Sequence, residues 1–266
     1  MTTRRRSKRA VERPSAMPSD EERQTMQTVG VDPHLQKNYD EYYGDDLSEW
    51  RGMGAVDKVQ NIRALCASIN PTSVLDIGAG EGSVLQQLAG RGFGKRHFAL
   101  DISASGVERI RSRNIPSLVE CERFDGYKVP YPDASFDLAI LSHVLEHVEH
   151  PRLLLNEAAR VAALVFVEVP LEHNRGLPWN YVWDSVGHIN FYTAKTIRLL
   201  VQTCGHEVLD QLQTHSSRRL YRYRLGRKGN AAYLLKDLGL RIMPWVAQNL
   251  WTYHSSLLIR SHRPAP

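Results

Sequence analysis

The sequence predicts an α/β fold: a doubly wound, mostly parallel sheet with helices on both faces and an antiparallel pair at one edge. Three observations predict it. The run Val74–Ile77 is short, apolar and closed by glycines, as a buried parallel strand is. It leads into Gly78, Gly80 and Gly82 and then into Ser83–Ala89, whose apolar residues recur on one helical face. Further strand-like and helix-like segments then alternate to about residue 215, the pattern of crossover-linked parallel strands.

Residues 1–35 are polar, hold Pro14, Pro18 and Pro33 and show no apolar periodicity, which predicts a disordered basic arm. A single domain is then expected over 36–266. Its first part is aromatic and acidic, with Tyr39, Tyr42, Tyr43 and Trp50, side chains able to cover a ligand or simply to pack. Val59, Ile62, Cys66 and Ile69 recur at helical spacing, giving a helix that ends before Pro71. Thr72–Ile77 is the first strand and His97–Asp101 the second. Ser105-Gly106-Val107-Glu108 fits a capping box opening a helix with Val107 and Ile110 inward. Ser117–Cys121 and Ser135–Leu141 read as the third and fourth strands. Pro151 opens a helix to Val161, and Leu164–Val169 is a fifth strand stopped by Pro170. Ile197, Leu200, Val201 and Cys204 mark a helix closed by Gly205. Glu207–Gln213 and His254–Arg260 are two late strands, and the span of about 216–252 between them is a basic and helical insertion broken at Pro244.

Composition bounds the function. A hydrophobic content of 42% is ordinary for a globular chain. Cys66, Cys121 and Cys204 are far apart, with no metal or disulfide spacing, which points to a reduced, cytoplasmic setting. No apolar run is long enough to span a bilayer. The net charge of +5 resides in the first thirteen residues, where six basic residues stand against Glu12; the remaining 28 basic and 28 acidic residues balance. A neutral body argues against a nucleic-acid partner, and the arm reads first as a solvated tail.

The glycine turn suits a ligand approached closely by backbone at a helix N-terminus. Ser83 stands where a dinucleotide fingerprint has its last small residue, and the Asp76 carboxylate is a poor neighbour for a pyrophosphate but a good one for a ligand with an ammonium group. S-adenosylmethionine (SAM) is such a ligand. Asp101 ends the second strand 19 residues after Gly82, where an acid can accept from both ribose hydroxyls. Asp125-Gly126 follows the third strand and could face an adenine amino group, or be an ordinary turn.

The strings VLDIGAGEG, ALDIS, FDGYKVPYPDASFDLAILSHVLEHVEHP and GHINFYT, in this order over about residues 55–215, resemble the class I SAM-dependent methyltransferases. The branch that shares motifs with the ubiquinone-pathway O-methyltransferases is the most similar. The resemblance implies a seven-stranded sheet with SAM over its first strands. It places Asp76, Gly78, Ala79, Gly80 and Gly82 on the methionine and ribose side, Asp101 and Ile102 at ribose and adenine, Asp125 and Gly126 at the adenine, and Ser142 and His143 near the sulfonium. Some relatives of this kind, the small-RNA 2′-O-methyltransferases among them, hold a divalent metal on an E-x-x-E-H motif and a later histidine. The comparable positions here are His143, Glu146, His147 and His188, with His143 in place of a carboxylate. Such a His/Glu set suits a first-row transition ion better than Mg²⁺; alternatively, Glu146 and His147 hold a neighbouring loop.

The expected function is methyl transfer to oxygen of a small molecule or saccharide. Transfer to a hydroxyl calls for a base, and His143, His147 and His188 are the candidates. Trp179, Trp183, Asp184 and Phe191 lie in the loop where acceptors would bind. The stretch 216–230 holds six basic residues and no acid; read as extended, it sets Arg222 and Arg224 against Tyr221, Tyr223 and Leu225 and suggests an anionic or carrier-linked acceptor. The rival readings are an RNA or protein methyltransferase, a SAM-binding module without activity, and an NAD-dependent oxidoreductase.

Overall fold

The computed structural model describes residues 33–42, 48–182 and 187–261. The chain order is α1 (Pro33–Tyr42), α2 (Ser48–Leu65), β1 (Ser73–Ile77), α3 (Ser83–Ala89), β2 (Arg96–Asp101), α4 (Ala104–Ser112), β3 (Leu118–Arg123), β4 (Phe136–Ser142), α5 (Pro151–Val161), β5 (Ala162–Leu171), α6 (Ala194–Thr203), β6 (Glu207–Thr214), α7 (Arg218–Leu225), a 3₁₀ turn (Gly226–Lys228), α8 (Gly229–Ile242), α9 (Pro244–Leu250) and β7 (Tyr253–Arg260). The seven strands form one sheet in the order β3-β2-β1-β4-β5-β7-β6. The first five are parallel, and β7 runs antiparallel to both β5 and β6.

Side-chain alternation divides the core between the two faces of the sheet. Leu75, Ile77, Leu141, Val165 and Val167 pack with Leu154, Leu155 and Ala158 of α5 and with Ile197 and Val201 of α6. Val74, Leu138, Ile140 and Phe166 point the other way, onto Val59, Ile62 and Leu65 of α2 and Leu88 of α3. Both faces are covered, which is why the central strands read as unbroken apolar runs. The carboxyl ends of the parallel strands therefore share one edge, and their loops gather there.

Three local expectations are corrected. The cap of α4 is Ser103, not Ser105: Ser103 is extended and its Oγ accepts from the Gly106 N–H at 3.1 Å, so the helix begins at Ala104. Strand β5 does not stop before Pro170 but runs to Leu171 alongside β7. The Glu168 carbonyl accepts from His143 N on the β4 side, so the imino nitrogen of Pro170, two residues on, faces the same side beyond the end of β4 and no ladder bond is lost. The basic stretch expected to be extended is helical, opening at Ser217, whose Oγ accepts from the Leu220 N–H. Arg and Leu favour helix, and a serine cap outweighs the period-two pattern of the Arg-Tyr-Arg run. Of the residues expected to form an arm, 1–32 lie outside those described, as do Tyr43, Trp183 and Asp184. No described helix is long and apolar enough to cross a membrane.

Candidate active site

A cavity of about 1150 Å³ opens at the carboxyl edge of the sheet. Its floor comes from the ends of β1, β2, β4 and β5, and its walls from α1, α2, α7 and α8. One half is built by the glycine turn. Gly78 N and Ala79 N both donate to the Leu100 carbonyl, at 2.8 and 3.0 Å, which hooks the turn onto the end of β2. Gly78 has φ +75, and a Cβ there would stand 2.6 Å from Val144 Cγ2. Gly80 N donates to Asp101 Oδ2 at 2.7 Å, and Ser103 N to Oδ1 at 2.9 Å, so the acid is fixed at the turn with lone pairs to spare. Asp76, Gly78, Ala79, Gly80, Asp101, Ile102, Gly126, Ser142 and His143 all line the cavity.

Gly82 and Asp125 do not line it. Gly82 caps α3 at φ +83, with Ile110 against the place of a Cβ. The exposed Asp125 spends Oδ1 on the N–H groups of Tyr127 and Lys128, an Asx turn that leaves Gly126 to face the cavity. Ser83 bonds to Glu81, which pairs with Arg113, so this position stabilises the turn.

Electrostatics favours a cationic ligand in this half. Burial pushes the Asp76 carboxyl up to about 7, with Lys58 opposing and Asp101 adding to the rise. Burial also pushes Asp101 up to about 6, against the pull of the Ser103 and Gly80 N–H groups. Two buried acids of raised pKa in a cleft mark a site whose charge a ligand would complete.

The other half holds histidines. His143, with φ +60, stands between Glu146 and Glu168, its ring nitrogens 3.2 Å from a carboxylate oxygen of each. Burial opposes the imidazolium, yet the two carboxylates hold its pKa above the ordinary value. Burial lowers the pKa of His147 and keeps its ring neutral; its Nδ1 is 3.4 Å from the Gly187 carbonyl. The His188 ring lies edge-on to it, centroids 4.6 Å apart, with Nδ1 hydrogen-bonded to the Glu172 carboxylate. Donor atoms of Glu146, His147 and His188 lie within 4.8 Å of one another. Glu146 is fully buried and neither carboxylate oxygen accepts a well-formed hydrogen bond; Ser142 Oγ is likewise unpartnered.

Several residues here were not singled out from sequence. Glu168 accepts from Asn61 Nδ2 at 2.7 Å and Ser256 Oγ at 2.6 Å besides its pairing with His143. A carboxylate inside the apolar string LVFVEVP was the available signal. Glu172 and His254 gave no such signal; they meet the site only because β5 and β7 pair beyond the end of β4. Tyr39 and Trp50 line the cavity, whereas Trp179 is fully exposed and Phe191 meets Tyr181 edge to face. Burial pushes the Cys66 and Cys121 thiols up to about 12 and about 11, so neither is a ready nucleophile.

A family model described as a methyltransferase domain matches residues 50–211. The biotin biosynthesis bifunctional protein BioHC of Cellvibrio japonicus is 31% identical over 210 residues, 75% of this chain and 39% of that protein. A malonyl-[acyl-carrier protein] O-methyltransferase of Halorhodospira halophila is 34% identical over 36% of this chain and 32% of its own length. The chain thus spans well under half the length of these relatives. It spans more of a demethylmenaquinone methyltransferase of Porphyromonas gingivalis, which is 25% identical over 62% of this chain and 66% of that one. Among solved structures, the N-methyltransferase NodS of Bradyrhizobium japonicum, in complex with S-adenosyl-L-homocysteine, superimposes with a TM-score of 0.56 at 13% identity, covering 86% of this chain and all of that one. The [4+2]-cyclase SpnF also gives 0.56, at 17% identity over 78% and 82%. Likeness at this level shows the fold, and a fold hosts more than one reaction.

Proposed function

The chain belongs to the class I SAM-dependent methyltransferases, and from that premise we propose that it methylates a hydroxyl oxygen of a small-molecule or saccharide acceptor. The observation that carries this reading is the neutral, half-buried His147 beside the Glu172-held His188, in the same cavity as the glycine turn. A neutral amine acceptor attacks without losing a proton first; a hydroxyl needs a group to take its proton, and a neutral imidazole does this near pH 7.

SAM, when bound, supplies a methyl group activated on a sulfonium. The residues of the chain then bind, orient and move a proton. Asp76 offers its carboxylate to the ammonium group and Asp101 its free lone pairs to the ribose hydroxyls, while Ile102 and Gly126 border the adenine. Ser142 Oγ, buried and unpartnered, and His143 stand at the junction with the acceptor half. His147 takes the hydroxyl proton, with His188 as the alternative base, and the charge of Glu172 favours the protonated form of His188. Placing these groups around both reactants is the main catalytic device. The relative named for transfer to oxygen of a carrier-bound malonyl group supports an oxygen acceptor, and the basic α7 supports an anionic or carrier-linked one.

A second reading has its own observation. The convergence of Glu146, His147 and His188, with a buried carboxylate that accepts no well-formed hydrogen bond, fits a divalent transition ion. Such an ion would supply a Lewis acid for the acceptor hydroxyl.

The test is a labelled-methyl screen across phenol, saccharide, nucleic-acid and protein acceptors, followed by His147→Ala and His188→Ala. The expected result is transfer to a hydroxyl acceptor, with turnover in the variants lowered by about 10²–10⁴-fold and SAM affinity little changed. Activity lost on chelation and restored by a divalent ion selects the metal reading. Transfer confined to amines, or normal turnover in both variants, overturns the hydroxyl chemistry.

A further inference from the structure

The helices between β6 and β7 carry an apolar face that the described residues leave uncovered. Along α8, Leu234, Leu235, Leu238 and Ile242 fall at helical spacing and are 59%, 55%, 54% and 65% exposed. Met243 and Trp245, 52% and 72% exposed, carry the face across Pro244 into α9. Six large apolar side chains, each more than half exposed within twelve residues, form a patch rather than a scatter. The helices cannot roll to hide it, because their other side is engaged. Leu240 and Ala247 pack with Leu171 and Tyr253, the Tyr253 hydroxyl donates to the Lys236 carbonyl, and Tyr233, Lys236 and Leu240 line the cavity.

Positive charge borders this face. Residues 218–250 hold eight basic residues against Asp237 alone. Arg218, Arg219, Arg222 and Arg227, with Tyr223 and Asn230, line a second cleft of about 740 Å³, and no described carboxylate lies within ion-pair distance of these four arginines. We propose that this surface docks the protein on an anionic phospholipid bilayer, with the α8–α9 apolar face in the interface and the arginine cleft on lipid phosphates. A short helix with aliphatic residues and Trp on one side and cations beside them has the composition of a segment that lies in the plane of a membrane. Arginine forks match phosphate oxygens, and several cations together respond steeply to an anionic surface. A second copy of the chain is the poorer occupant, since a two-fold contact sets this strongly positive segment against itself. Docking does not depend on the acceptor assigned above, although α7 and α8 also wall the cavity.

The test is co-sedimentation of the full chain with vesicles of phosphatidylcholine alone or with phosphatidylglycerol, at low and high salt and without any acceptor. Binding to the anionic vesicles that weakens with salt is expected. Leu235→Ser/Leu238→Ser/Trp245→Ser and Arg219→Gln/Arg222→Gln/Arg227→Gln should each weaken it by at least roughly tenfold. All six positions are exposed, so melting temperature and SAM affinity should stay at the wild-type value and certify the fold. Absence of binding to anionic vesicles, or wild-type binding by either folded variant, overturns the proposal. Self-association that the Leu/Trp variant disperses, or capture by a soluble polyanion, in each case without vesicle binding, assigns the surface to another partner and overturns it too.

Discussion

With the SAM ammonium at Asp76, as proposed, SAM binding should be a proton-linked event. Its carboxyl is 3% exposed, and burial brings its pKa up to about 7 in the ligand-free protein. The group is therefore about half protonated near neutral pH. An ammonium placed within hydrogen-bonding reach favours the ionised form and lowers such a pKa by about 1–3. Binding measured at about pH 6 should then release roughly 0.4 to 0.9 of a proton, and affinity should fall as pH is lowered, by at most about 1.4–4 kcal/mol between the two limits. Calorimetry in two buffers of different ionisation enthalpy reads the proton count directly from the change in observed heat. Asp76→Asn should bind more weakly and lose most of the release, leaving the smaller contribution of Asp101, whose pKa is about 6. Heats that do not depend on buffer in the wild type, or proton uptake, would refute the reasoning. The same raised pKa carries a sign for stability. Asp76 contributes fully to ligand-free stability below its unfolded value of about 4, and that contribution is lost as pH rises through about 7. Unfolding of the SAM-free protein should therefore become harder between about pH 8 and pH 5, as far as this group decides it.

Three further outcomes follow from single features. Glu168→Ala leaves His143, Asn61 and Ser256 facing an empty acceptor position; it should cost about 3–5 kcal/mol in chemical denaturation, and Glu168→Gln less. Gly78→Ala adds a Cβ 2.6 Å from Val144 at a left-handed backbone position; it should lower stability by about 1–3 kcal/mol and weaken SAM binding, both readable in a thermal shift with and without SAM. Deleting residues 1–32, whose composition shows no apolar periodicity, should leave the melting temperature nearly unchanged, and a clear drop would show that they pack on the domain.

The sequence by itself determined the parts governed by local spacing. Strand, glycine turn and helix at 74–89 are legible because a buried parallel strand, a backbone needing positive φ and an amphipathic helix each leave a short-range pattern. Asp101 was legible for the same reason, an acid at the end of the second strand, and so were the histidines, whose chemistry is carried by residue type. The tertiary structure alone decided which of them meet. Residue 125 sits in a turn because the N–H groups of Tyr127 and Lys128 both donate to its carboxylate Oδ1. Residue 168 becomes the counter-charge of His143 because parallel pairing sets Ser142 beside it. His188 comes within 4.6 Å of His147 across 41 residues of chain, a closure no local pattern encodes. The basic stretch after β6 shows the limit most plainly. Its sequence is compatible with a strand and with a helix, and a serine cap with the packing of α7 on α8 selects the helix, leaving arginines in a cleft and leucines in the open. Local periodicity reports which backbone a segment can adopt; burial, pairing and charge compensation arise only between segments, so they exist only once the chain has folded.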